Sequence, residues 1–100
     1  MYINKETDGK TITLVPVGRL DTTSSPELEA ELKTVTEEAD TLIFNLAQLE
    51  YISSAGLRVL LGAQKAMNAK GGTMTIKNVN EIVSEVFNVT GFVDILNIEQ

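Results

Sequence analysis

Two adjacent hydroxyls, Ser53 and Ser54, stand where the run Tyr51-Ile52 gives way to Ala55-Gly56 and a stretch of strong helix formers. A helix N-terminus leaves backbone N–H groups without partners and carries partial positive charge. A serine there has two chemistries open to it. It can cap the helix, a contribution of about 1 kcal/mol. It can also accept a phosphoryl group, whose oxygens would meet the free N–H groups. That modification adds about −1.5 to −2 charges at pH 7 to a surface of small and apolar residues. Ala55 and Gly56 keep the turn slim, so another protein can approach the hydroxyl closely.

Covalent catalysis by the same serine lacks a base. The chain has no His and no Cys. Lys65 lies about three helical turns from Ser54, beyond local reach. No glycine-rich loop of the Gly-x-x-x-x-Gly-Lys type cradles a phosphate, and no cofactor motif is present. The acids Glu37, Glu38 and Asp40 resemble a metal cluster only by adjacency. Neighbouring helix positions do not face one another, so they read as a solvated face with no metal bound. The expected class is a binding module, not an enzyme.

The 100 residues suit one domain, 1–100. Eight basic and fourteen acidic side chains give a formal charge of −6, which repels nucleic acid and anionic membranes. The N-terminal Met1-Tyr2-Ile3-Asn4-Lys5-Glu6 has no apolar signal core. No apolar run approaches the ~20 residues of a membrane span. The expected compartment is the cytoplasm, with no membrane and no nucleic-acid partner.

Alternating strand and helix patterns position the two serines. Tyr2–Thr7 and Thr11–Val17 read as strands around an Asp8-Gly9 hairpin turn. Pro16 cannot donate to a ladder, so a bulge or an unpaired edge is expected there. Ser25-Pro26-Glu27 opens a helix, with Ser25 as cap and Leu28, Leu32, Val35 and Ala39 as its buried stripe. Thr41–Leu46 reads as a central strand. A second helix runs from about Ala55 to Ala69 and stops near Gly71-Gly72. Thr73–Lys77 is a further strand. Asn80 caps a third helix, ended by Gly91, and Phe92–Ile98 is a docking segment or a last strand. The fold class is α/β: a mixed, mostly parallel sheet opened by a β-hairpin and packed by three to four helices. Function in such sheets sits beyond the carboxyl ends of the parallel strands. The loops Gly18–Ser25 and Gln48–Gly56 are expected to meet there.

The run Tyr51-Ile52-Ser53-Ser54-Ala55-Gly56-Leu57-Arg58-Val59-Leu60-Leu61 resembles the signature of the STAS family, the domain of sulfate transporters and anti-sigma factor antagonists. Gly18-Arg19-Leu20-Asp21, Leu42–Leu46, Gly71-Gly72 and Thr90-Gly91-Phe92 match further family segments in order, so the resemblance covers almost the whole chain. It implies an anti-sigma factor antagonist. The unphosphorylated form would bind an anti-sigma factor that is also a serine kinase with a histidine-kinase-like ATPase fold, releasing a sigma factor. Phosphorylation would dissociate the complex, and a metal-dependent serine phosphatase would restore it. The alternative within the family is a scaffold subunit without a switch.

With Gly56 as the family glycine, the implied phosphoacceptor is Ser54. Helix-start geometry also favours Ser54 over Ser53. Ser53 stands where the phosphorylated family members carry aspartate, so a neutral hydroxyl replaces a carboxylate beside the acceptor. The resemblance places Asp21 near the site, either orienting the hydroxyl and meeting the partner or serving as a turn carboxylate with Thr22 and Thr23. Tyr51, Ser53, Ala55 and Gly56 complete the expected neighbours and contact residues.

Overall fold

The computed structural model describes residues 1–99. Strands β1 (Tyr2–Asp8) and β2 (Thr11–Leu20) form the opening hairpin, followed by helix α1 (Ser25–Glu38), β3 (Thr41–Asn45) and β4 (Leu49–Ile52). Helix α2 (Ser54–Ala69), β5 (Thr73–Lys77), helix α3 (Glu81–Thr90), a 3-10 turn (Phe92–Asp94) and β6 (Ile98–Glu99) complete the described chain. The sheet runs β1-β2-β3-β5-β6, with β4 added alongside β2. Among the described residues only β1 and β2 pair antiparallel; β2–β3, β2–β4, β3–β5 and β5–β6 are all parallel. This is the mixed, mostly parallel sheet that the alternation of patterns predicts.

Period-2 alternation explains the layering. Leu42 and Phe44 of β3, and Met74 and Ile76 of β5, are buried under the helices, while Thr41, Ile43 and Asn45 turn to the opposite, half-covered face. The expected stripe of α1 packs as read: Leu28, Leu32 and Val35, with Ala39 just beyond the helix, are all buried. Each large member contributes about 1.5–3 kcal/mol by leaving water. Asn80 caps α3 by accepting from the Val83 N–H at 2.8 Å, and its Nδ2 donates to the Leu49 carbonyl at 2.7 Å, tying α3 to β4. Gly91 ends α3 in the left-handed region at φ 80°. The tail divides its two expected roles, with Leu96 docked in the core and Ile98–Glu99 adding a strand beside β5.

Three expectations are resolved or corrected here. First, of the two alternatives for Pro16 the unpaired edge holds and the bulge does not. Pro16 stays opposite Ile3 of β1 and falls between two parallel ladders, because β3 pairs only as far as Leu14 and β4 begins at Gly18. The bulge lies between Gly18 and Arg19, where Gly18 takes φ 105°. Second, β2 therefore continues to Leu20, and the expected Gln48–Gly56 loop contains β4. Third, Ser25 does not cap α1. Ser24 occupies the cap position without a side-chain cap bond, and Ser25 is the first helical residue, buried with an unpartnered hydroxyl.

The far end of α1 is closed from outside. No basic residue lies in its last turn, so its carbonyls have no partner of their own. Lys70, just past α2, supplies one: its Nζ donates to the carbonyls of Thr36, Glu37 and Ala39 at 3.1, 3.0 and 2.7 Å. Lys70→Met is expected to lower stability by about 1–2 kcal/mol. Urea denaturation would show this as a lower midpoint with unchanged slope.

Candidate functional site

The bulge at Gly18 lets the outer part of β2 turn toward β4. Arg19 then lies opposite Tyr51 and Leu20 opposite Ile52, so the two strands end side by side. The Ser53 N–H donates to the Leu20 carbonyl at 2.9 Å and joins the two exits. This brings Asp21, Tyr51, Ser53, Ser54, Ala55 and Gly56 to the carboxyl ends of β2 and β4, as expected.

The two serines have different jobs. Ser53 is extended (φ −98°, ψ 176°) and half-buried, and its Oγ accepts from the Gly56 N–H at 3.4 Å. Its carbonyl accepts from the Leu57 N–H at 2.9 Å. Ser53 is thus the cap. Ser54 is the first residue of α2 and is exposed, and no hydrogen bond joins its hydroxyl to another described residue. The amides of Ser54 and Ala55 precede any possible helical acceptor, so they present donors beside that hydroxyl.

Gly56 seats the helix start on the strand ends. A Cβ added here would lie 2.7 Å from Leu20 Cγ and 2.8 Å from Ile52 Cγ1. Both neighbours are buried at about 1% exposure or less, so neither has room to retreat.

Asp21 serves its own turn. Its Oδ1 accepts from the Thr23 and Ser24 N–H groups at 3.0 and 3.1 Å, and its own N–H donates to Ser24 Oγ at 3.0 Å. The Ser24 hydroxyl proton is shared between the Arg19 carbonyl at 2.7 Å and Asp21 Oδ1 at 3.2 Å. Asp21 Oδ2 lies 3.9 Å from Arg19 Nε, an exposed pair that contributes little. Arg19 also covers the Tyr51 ring, with its guanidinium carbon 4.5 Å from the ring centroid. Asp21 thus stands next to the serines while its carboxylate holds the β2–α1 turn. Ser24 and the Arg19–Tyr51 stack were not foreseen. The Asp-x-x-Ser spacing of residues 21–24 was the available signal for the first, and the cross-strand register for the second.

The Ser24 N–H bond, chiefly, holds the Asp21 carboxyl below its ordinary range; partial burial opposes this, and the Ser24 hydroxyl, the Thr23 N–H and Arg19 assist. A carboxyl with a depressed folded pKa stabilises the fold above its unfolded value of about 3.9, and the contribution is lost as pH falls through the folded value. Asp21→Asn keeps the oxygen acceptor and removes the charge. Its stability is expected to fall less steeply than the wild type's below about pH 4, as measured by thermal melts across the acid range.

A mixed, mostly parallel sheet whose strand exits present a serine-led helix is the arrangement of a STAS domain. The STAS domain model matches residues 2–100, and the chain belongs to that family. Among curated relatives, the anti-sigma-B factor antagonist of Bacillus subtilis is 32% identical over 81 residues, spanning 81% of this chain and 74% of the relative. Among solved structures, the anti-sigma factor antagonist SpoIIAA in its unphosphorylated form matches with a TM-score of 0.85 and 22% identity, covering 99% of this chain and 89% of that one. The Bacillus cell fate determinant SpoIIAA in its phosphorylated form matches with a TM-score of 0.77 and 20% identity, covering 99% and 92%. At those identities the structural likeness shows the fold. Family membership makes this chain a regulatory binding domain of signal transduction, not an enzyme. No helix among the described residues is long and apolar enough to cross a membrane.

Proposed function

We propose that this chain is an anti-sigma factor antagonist switched by phosphorylation at Ser54. Unphosphorylated, it docks onto an anti-sigma factor that is also a serine kinase of histidine-kinase-like ATPase fold, and so frees a sigma factor. Asp21, Tyr51, Ser53 and Ala55 form the contact surface around the acceptor, and the buried Gly56 supports it from beneath. The observation that carries this reading is the division of labour at α2: Ser53 caps, so the exposed Ser54 hydroxyl is free to react. The curated relative from Bacillus subtilis is an anti-sigma-B factor antagonist, and SpoIIAA, of the same fold, has unphosphorylated and phosphorylated forms.

The chemistry belongs to the partners. Ser54 Oγ attacks the γ-phosphorus of ATP held by the kinase. The new O–P bond replaces the bond to ADP, and the serine proton passes to a base on the kinase. A serine phosphatase returns the hydroxyl by directing water onto phosphorus, releasing inorganic phosphate. The neutral hydroxyl of Ser53 takes the place of a carboxylate beside the acceptor without losing the cap, so the helix start stays formed.

Intact-mass and peptide mass spectrometry after incubation with the cognate kinase and ATP tests the assignment. One phosphate on Ser54, absent in Ser54→Ala, is the expected result. Phosphate confined to Ser53, or none, would overturn it. The scaffold reading has one observation in its favour: Ile82, Val89 and Val93 are apolar and exposed on and just after α3. Light scattering decides it, since a scaffold assembles beyond the 10.9 kDa chain in the absence of any phosphate.

A further inference from the structure

Ser54 and Arg58 are both exposed and lie four residues apart on α2. That spacing sets their Cβ atoms about 5–6 Å apart on one face of the helix. Arg58 makes no ion pair among the described residues. It lines a cleft of about 160 Å³ between the starts of α1 and α2, together with Thr22, Ser25, Glu29 and Ala55. Ser25 is only 4% exposed, and its hydroxyl has no hydrogen-bond partner. A buried hydroxyl without a partner costs about 1–3 kcal/mol, a cost that a phosphate oxygen within reach would relieve. Arg58 and Ala55 line the same cleft, and Ser54 immediately precedes Ala55 at the start of α2.

We propose that this cleft is the receptor for a phosphate carried by Ser54, with Arg58 as its counter-ion within the same chain. The proposal rests on Ser54 being the acceptor, and it assigns what the phosphoryl group does after transfer. Its oxygens take up the Ser54 and Ala55 amides and the guanidinium fork of Arg58, which matches phosphate geometry better than a point charge does. The Ser25 hydroxyl is the remaining donor. Other charged groups around the site compete. Glu29 of α1 lines the same cleft, while Asp21 at the β2 exit and Glu50 of β4 add negative charge nearby, and Arg19 is already shared between Tyr51 and Asp21. Arg58 is therefore the group that offsets the added charge.

The test needs no kinase. Phosphoserine is placed at position 54 by genetic encoding, and its second ionisation is followed by phosphorus NMR between roughly pH 4 and 9. The wild-type chain is expected to titrate below the value of about 6 found for a free phosphate monoester. Arg58→Gln should raise the midpoint by about 0.5 pH unit, roughly a threefold change in proton affinity, and Arg58→Lys should recover part of the shift. Ser25→Ala should move it in the same direction by less. Midpoints that agree within about 0.1 unit for the wild type, Arg58→Gln and Ser25→Ala would overturn the proposal. The switch reading fails by a separate result, namely equal partner binding with and without the phosphate, which this titration does not involve.

Discussion

If the proposed function holds, an affinity column bearing the wild-type chain or Ser54→Ala is expected to retain the proposed partner, an ATPase of histidine-kinase-like fold, whereas Ser54→Asp loses it. Phosphoserine at 54 should weaken binding by about a hundredfold or more. A dianion enclosed in a close-packed contact must be stripped of water, a cost of several kcal/mol, and each 1.4 kcal/mol is a tenfold loss. Aspartate carries half the charge and should lose about tenfold or more by the same arithmetic. Folding does not confound the comparison. An acidic residue in the first turn of a helix stabilises it by about 0.3–1 kcal/mol, so Ser54→Asp should melt no lower than the wild type. Ser54→Ala keeps the cap, because the capping oxygen belongs to Ser53. Equal retention of all four baits would show that the first residue of α2 has no part in docking.

The second large effect is a contrast between two glycines of one helix. Gly56→Ala gains about 1 kcal/mol of helix propensity, but it forces a methyl to within 2.7–2.8 Å of Leu20 and Ile52. Overpacking of that kind costs about 1–3 kcal/mol, and Gly56→Val, larger and β-branched, should cost at least about 3. Gly62 stands in the same helix with nothing within 4 Å of an added Cβ. Gly62→Ala should therefore stabilise by about 0.5–1 kcal/mol. Chemical denaturation of the three variants reads both signs. A Gly56→Ala protein as stable as Gly62→Ala would mean that the helix start is not clamped on the strand exits. Because that clamp positions Ser54, Gly56→Val should also slow phosphorylation.

The main architecture was legible because it rests on long periodic signals. The stripe Leu28, Leu32, Val35, the alternation through Leu42 and Phe44, and the Asn80 and Gly91 stops of α3 each state an element and its buried face. The details of the site were not legible for the same reason in reverse. Strand β4 has four residues, and only its end positions Leu49 and Ile52 are buried, three apart, which is a helix spacing and not the strand period of two. Its existence depends on the Gly18 bulge, a backbone conformation that composition does not announce. The cap of α1 was misplaced by one residue because Ser24, Ser25 and Pro26 all suit a helix start. Only the Asp21 turn decides among them. The division between Ser53 and Ser54 likewise turns on one extended residue, Ser53, which two identical side chains cannot reveal.

Strand β2 changes neighbours midway, from β3 up to Leu14 to β4 from Gly18 onward. Its outer portion, which bears Arg19 and leads into Asp21, is thus a cantilever projecting from the sheet and braced by one short strut. The strut is in turn fastened to α3 through the Asn80–Leu49 bond. Mechanical disturbance of α3 has a direct covalent and hydrogen-bonded route to the platform beneath Ser54, although α3 contributes none of the residues assigned to that platform.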